Sequence, residues 1–277
     1  MSSGQGLLRP AFGHPNRPKV AVLASPRVRA PPSAIPAPPF PRELEWVNVA
    51  PLRMDKQRGR PVLVEFWDFC RPSSLRTLPY VKAWHERYGR DGLRVVTVHS
   101  PGFAPGEDEG AVRAAVARLE IEHPVCIDLG FQLWRAYDNA GWPARYLWDA
   151  DGHLAEYHYG EGGYAETELA IQELLRTERE PVAPMHPEDE PSALIVAQTP
   201  DQPGAYSGPY GAGAVWAVLS GTGELHVNGE AVGVQWPGAH LLVEHAHHVN
   251  AVLDLRVGAG VTCYATCFTP GVVLPAA

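Results

Sequence analysis

The sequence predicts an α/β layer with a mixed central sheet flanked by helices, followed by a small all-β sandwich or jelly roll. Three observations carry that expectation. From residue 41 to 178, strand-like apolar runs alternate with segments of helical period. A stretch at 179–192 then holds four prolines and four acids, the composition of a stiff linker. From 193 to 277 no helical period survives, and short β-rich runs are separated by glycine turns.

Each element has its own warrant. Leu44 to Asn48 is a short apolar stretch before a polar turn. Pro61 to Trp67 is almost continuously apolar, as expected of a strand buried on both faces. Leu75, Leu78, Val81, Trp84 and Tyr88 recur at three or four residues, so 72–89 reads as a helix, with Ser73 and Ser74 available to cap it and Pro79 expected to kink it. Leu93 to His99 is a second buried strand. Glu107 to Leu119 is an amphipathic helix with an acidic first turn that suits the helix dipole. Pro124 to Asp128 is a short strand and Leu129 to Tyr137 a short helix. Arg145 to Trp148 and His153 to Tyr159 form a hairpin across Asp149 to Gly152. Tyr164 to Arg176 is the last helix. Beyond the linker, strands are expected at Ala214–Leu219, Glu224–Val227, Leu241–Glu244, Val252–Val257 and Val261–Phe268.

Composition narrows the function classes. The 277 residues include 28 prolines and 27 glycines, and ten of the prolines lie in the first 41 residues, so 1–40 reads as an extended arm. That arm carries five basic side chains and no acid, whereas 181–277 carries Arg256 against eight acids, within a net charge of −8. This distribution argues against a nucleic-acid partner. No apolar run reaches membrane-spanning length and no convincing export signal is present, so the expected location is the cytoplasm. Four cysteines exclude a disulfide scaffold and paired CxxC zinc motifs. No motif calls for a cofactor.

Several strings in the first half belong together: Glu65-Phe66-Trp67, Leu75-Arg76-Thr77-Leu78-Pro79, Gly141-Trp142-Pro143-Ala144, Asp149 to Gly152 and Gly160 to Tyr164. On these motifs residues 41–178 resemble the thioredoxin-like superfamily, in particular its TlpA/DipZ-like redoxin branch. Gly211 to Trp216 and Gly260 to Cys263 resemble the β-sandwich domain that follows the redoxin domain in DipZ-like proteins, a domain type compared with carbohydrate-binding modules. The resemblance implies thiol–disulfide oxidoreductase chemistry on protein thiols or a low-molecular-weight thiol, and relatives are often extracytoplasmic. It also implies a cis peptide at Pro143, which with Trp67 and Trp142 would line the substrate surface.

The redox turn departs from that pattern. The family's two cysteine positions fall on Arg71 and Ser74, while a shift of one residue gives Cys70-Arg71-Pro72-Ser73, a monothiol CxxS string. A second thiol to resolve a mixed disulfide is missing from this turn. Cys70 would lie just before a helix N-terminus beside Arg71, a setting that favours thiolate. It would then form mixed disulfides or sense oxidants. Glu65, at the family's buried-carboxylate position, would relay protons. The alternatives are that Cys70 is a small buried hydrophobe, that Glu65 is an ordinary strand acid, and that the chain is a non-catalytic binding or scaffold protein. Such a protein's sandwich would bind a carbohydrate-like ligand or a protein partner, with Trp216, Trp236, Tyr206 and Tyr210 as a possible stacking platform. Cys126 reads as inert. Cys263 and Cys267 are expected on one strand face, about 13 Å apart, and His245 and His247 would likewise share a face.

Overall fold

The computed structural model describes residues 35–273. Most of the arm expected over 1–40 lies outside them. Residues 35–40 are tied to the body: Leu154 N donates to Ile35 O at 3.0 Å, Pro36 bridges His153, and Phe40 is buried against Trp46.

The first half builds a six-stranded mixed sheet. In chain order its elements are β1 (Glu45–Val47), β2 (Val62–Trp67), α1 (Pro72–Tyr88), β3 (Arg94–His99), α2 (Glu109–Arg118), β4 (Val125–Ile127), α3 (Gln132–Ala136), β5 (Ala144–Trp148), β6 (Leu154–Tyr159) and α4 (Tyr164–Leu175). The spatial order is β1-β4-β3-β2-β5-β6, with β2, β3 and β4 parallel and the remaining pairs antiparallel. Every residue of β2 is buried, as its unbroken apolar run requires of a central strand. Leu63, Val95 and Leu147 pack on one face against α1 and α4, while Val64, Phe66 and Val98 pack on the other with Leu133 of α3. Helix α1 continues through Pro79 without a break. Helix α2 starts two residues later than the acidic pattern suggested. Asp108 is its N-cap and accepts from Ala111 N at 2.6 Å, and Ala104–Glu107 is a separate 3-10 turn.

The second half is antiparallel throughout. It comprises β7 (Ile195–Val196), β8 (Gln202–Pro203), β9 (Gly208–Gly221), β10 (Gly223–Val227), β11 (Glu230–Val234), β12 (Gly238–Leu253), β13 (Leu255–Val257), β14 (Val261–Thr269) and β15 (Gly271–Val272). These form sheets of order β12-β9-β14-β8, β11-β10-β13 and β15-β7. Strand β12 extends the expected Leu241–Glu244 run to 16 residues with bulges along it, and the expected Val252–Val257 run is divided between the end of β12 and β13. A bulge in β14 between Cys263 and Ala265 also reverses the facing of the residues that follow. Cys263 and Cys267 therefore do not share a face: Cys263 lies in the core of the C-terminal sheets, and Cys267 faces the first half.

The connecting segment is strapped down rather than free. Arg76 of α1 pairs with Glu161 at 3.0 Å and with Glu188 at 2.9 Å. Tyr80 Oη donates to Asp189, and Val182 N donates to Glu168 Oε2. Glu168 in turn accepts from Trp84 Nε1 and Tyr88 Oη, so one buried carboxylate ties α1, α4 and the connector together.

Candidate functional site

The turn after β2 is where most of the sequence-selected residues meet. Arg71 is the N-cap of α1, makes no side-chain cap bond, and is followed by Pro72 at the first helical position. Ser73 and Ser74 do not cap the helix. Ser74 Oγ accepts from Asp68 N at 3.2 Å, and Ser73 Oγ donates to Trp142 O at 3.5 Å. The Trp142–Pro143 peptide is cis. Trp142 Nε1 donates to Ser100 O, and its ring stacks toward Trp134. Arg71 lies between aromatic faces, its Cζ 4.6 Å from the Trp142 ring and 4.9 Å from that of Phe103.

Cys70 precedes the N-cap, and that single step decides its fate. It has no exposed surface and packs with Trp67, Phe69 and Leu78. Its thiol is pushed up, not down: burial is the largest cause, the Asp68 carboxylate adds to it, and Arg71 offsets only part. The thiolate expected from the helix N-terminus and Arg71 is therefore not what this environment favours. Trp67 is equally buried, so it is part of the core and not of an open substrate surface.

Two residues that sequence reading passed over organise the turn. Asp68 is fully buried and accepts from Cys70 N at 2.9 Å and Gly102 N at 2.7 Å. His99, at the end of β3, places Nε2 3.3 Å from Asp68 Oδ1, and its ring stacks on Phe69 at 5.3 Å. The signal available in the sequence was the Asp two residues before Cys70, the spacing of an Asx turn.

Glu65 sits deeper. It pairs in register with Arg145 of β5 and is buried. Burial pushes its carboxyl up to about 8, opposed by the Arg145 guanidinium. Arg145 is held between the rings of Trp84 and Tyr164.

The C-terminal sheets cover the turn. Val218, Ala265 and Cys267 join the same apolar cluster as Trp67, Phe69 and Cys70, with Trp216 and Tyr264 packed against it. Ala239 N donates to Phe69 O at 3.1 Å. Gly238 approaches so closely that a Cβ there would stand 2.9 Å from Phe69 Cδ2. At the edge, Arg118 of α2 lies 5.2 Å over the Trp236 ring.

Of the four aromatic residues considered as a stacking platform, three are packed into the protein and Trp236 keeps 39% of its surface exposed. Trp216 packs in the junction, Trp236 stacks on His240, and Tyr206 and Tyr210 pack around Phe268. His245 accepts or donates to Tyr210 Oη at 2.9 Å within an irregular stretch of β12. Among the described residues no group of three His, Cys, Asp or Glu side chains is placed to hold a metal ion. No described helix is long and apolar enough to cross a membrane.

No family model matches the chain. Protein DipZ of Mycobacterium bovis is 32% identical over 163 residues, covering 56% of this chain and 24% of that protein. This chain thus spans about a quarter of the length of DipZ. The thiol-disulfide oxidoreductase YkuV of Bacillus subtilis is 28% identical over 140 residues, covering 50% of this chain and 94% of YkuV. A solved thioredoxin-like protein in the oxidized form is 28% identical, with a TM-score of 0.47 over 52% of this chain and 97% of its own. The chain is thus similar, over about half of its length, to thioredoxin-like redoxin proteins.

Proposed function

We propose that this chain is a thioredoxin-fold binding or scaffold protein in which the redox turn has become a structural junction. On this reading, residues 41–178 form the redoxin unit and 193–277 the β-sandwich unit, with 179–192 strapping them together. The observation that carries the reading is the burial of Cys70 within an apolar cluster supplied by both halves. Thiol–disulfide exchange needs a thiolate with open approach to a disulfide sulfur. A sealed thiol whose ionisation is pushed up offers neither. The turn also holds serines, Ser73 and Ser74, where exchange would need a second thiol. With Trp216, Tyr206 and Tyr210 committed to packing and Trp236 alone exposed, the sandwich is better suited to a protein partner than to a stacked sugar.

The reading of Cys70 as a monothiol oxidoreductase, forming mixed disulfides or sensing oxidants, draws support from the oxidoreductase name of YkuV. Incubating the full chain with oxidised glutathione, followed by peptide-resolved mass spectrometry, separates the two. The scaffold reading expects no glutathione on Cys70 in the native protein and no acceleration of insulin reduction. A Cys70–glutathione adduct formed at the rate of an exposed thiol would overturn it.

A further inference from the structure

At the end of the central sheet opposite the Cys70 turn lies a cleft of about 890 Å³, bounded by the second half of α1, the end of α2 and the starts of β3 and β4. Arg60, Lys82, His85, Arg94 and His123 line it. Glu86, Glu120 and Glu122 line it as well, and all three are solvent-exposed.

The basic groups are not equally engaged. Arg113, also at this cleft, is paired with Glu45 and Glu109, and the Lys82 ammonium donates to Leu119 O at 2.8 Å. Arg60 and Arg94 have no carboxylate at ion-pairing distance among the described residues. Three buried nitrogens in this one cleft lack a hydrogen-bond partner: Nε of Arg94, Nδ1 of His85 and Nδ1 of His123. His123 has no exposed surface, and its Nε2 lies 3.2 Å from the Thr97 hydroxyl. With that hydroxyl donating to Nε2, Nδ1 carries the proton and is a free donor.

The charges acting on these three groups are mostly positive. His85 is pulled down by burial and then by Arg94, with only Glu122 opposing. His123 is pulled down to about 3 by burial, then by His85 and Lys82. Arg94 is pulled down by burial and by Arg60 beside it. Each pull reports positive charge facing positive charge or a desolvated cation, a state that an entering anion relieves.

We propose that this cleft binds a small molecule through a dianionic phosphate group, held by the guanidinium groups of Arg60 and Arg94 and by the ring N–H groups of His85 and His123. Guanidinium forks match the oxygens of a tetrahedral anion, and neutral imidazoles add donors without further repulsion. The cleft volume exceeds that of free phosphate and lies in the range of organic-ligand pockets. The site does not depend on the reading of Cys70.

The test is an NMR titration of the full chain, at constant ionic strength, with inorganic phosphate and, separately, with adenosine monophosphate. Saturable shifts are expected at the amides of His85, Arg94 and His123, with binding weakened at least about tenfold in Arg94→Gln and in Arg60→Gln. Arg60 is exposed, so the second variant keeps the test informative if the first fails to fold. Arg135→Gln, remote on α3, is expected to bind as the parent does. Tighter binding of the nucleotide identifies an organic phosphate as the ligand class, and equal binding identifies the free ion. Absence of saturable shifts with both probes, or full affinity retained in both cleft variants, would overturn the proposal.

Discussion

Replacing Gly238 by alanine should break the junction over Cys70 without touching the redoxin core. The glycine has φ of +134°, and the added Cβ would stand 2.9 Å from Phe69 Cδ2 and 3.2 Å from Phe69 O. Holding an L-residue at such a φ costs about 1–3 kcal/mol, and forcing a methyl into a filled contact costs about 1–3 kcal/mol more. The Ala239 N to Phe69 O hydrogen bond lies at the same point, so the strain falls on the contact that closes the turn. If about 3 kcal/mol is lost from the closed state, the opened population rises roughly 100-fold. Native-state alkylation with iodoacetamide, followed peptide by peptide, reads that population at Cys70. Cys126, buried in β4 away from the junction, is the internal control. The expected result is a rise of about two decades in the Cys70 rate with Cys126 unchanged. Equal acceleration of both thiols would mean global destabilisation, and no acceleration of Cys70 would mean that the C-terminal sheets do not seal it. Either result refutes the reasoning.

Other consequences are open to direct measurement. Glu65 has its carboxyl raised to about 8 in the folded state, so the native protein holds a proton that the unfolded chain releases. Stability should therefore fall by a few kcal/mol as pH rises from about 5 to 8. Denaturant unfolding of Glu65→Gln across that range should lack this component of the slope. Cys70→Ser puts a hydroxyl into an apolar cluster and should cost about 1–3 kcal/mol. It should be less stable in thermal unfolding than Cys70→Ala, the order expected of a packing residue. Arg76→Met removes the cation between Glu161 and Glu188, leaving both carboxylates without it, and should cost about 3–5 kcal/mol. Hydrogen exchange should then speed up across residues 180–190.

Much of the first half was legible because its strands are buried on both faces and its helices on one. The apolar run of β2, the period of α1 and the Trp142-Pro143 string each report a local environment directly. The site was legible only as a place. Sequence puts Cys70 beside Arg71 at a helix start, which taken alone predicts a thiolate. What reverses it is distant in sequence: Val218, Ala265 and Cys267 supply the walls, and Gly238 admits the close approach. Bulges hid part of the second half as well. One extra residue at Tyr264 turns Cys267 toward the junction, and no period-2 count across β14 finds it. Asp68 and His99 were missed for a related reason, since β2 and β3 become neighbours only when the parallel pair forms.

The central claim is that Cys70 is a sealed packing residue and not a working thiol. The direct measurement is its alkylation rate in the native full chain as a function of pH, read at the Cys70 peptide. The account predicts a rate far below that of the unfolded chain at every pH where the fold persists, with no thiolate wave near neutrality. Rapid alkylation with a midpoint below the ordinary thiol range would contradict it.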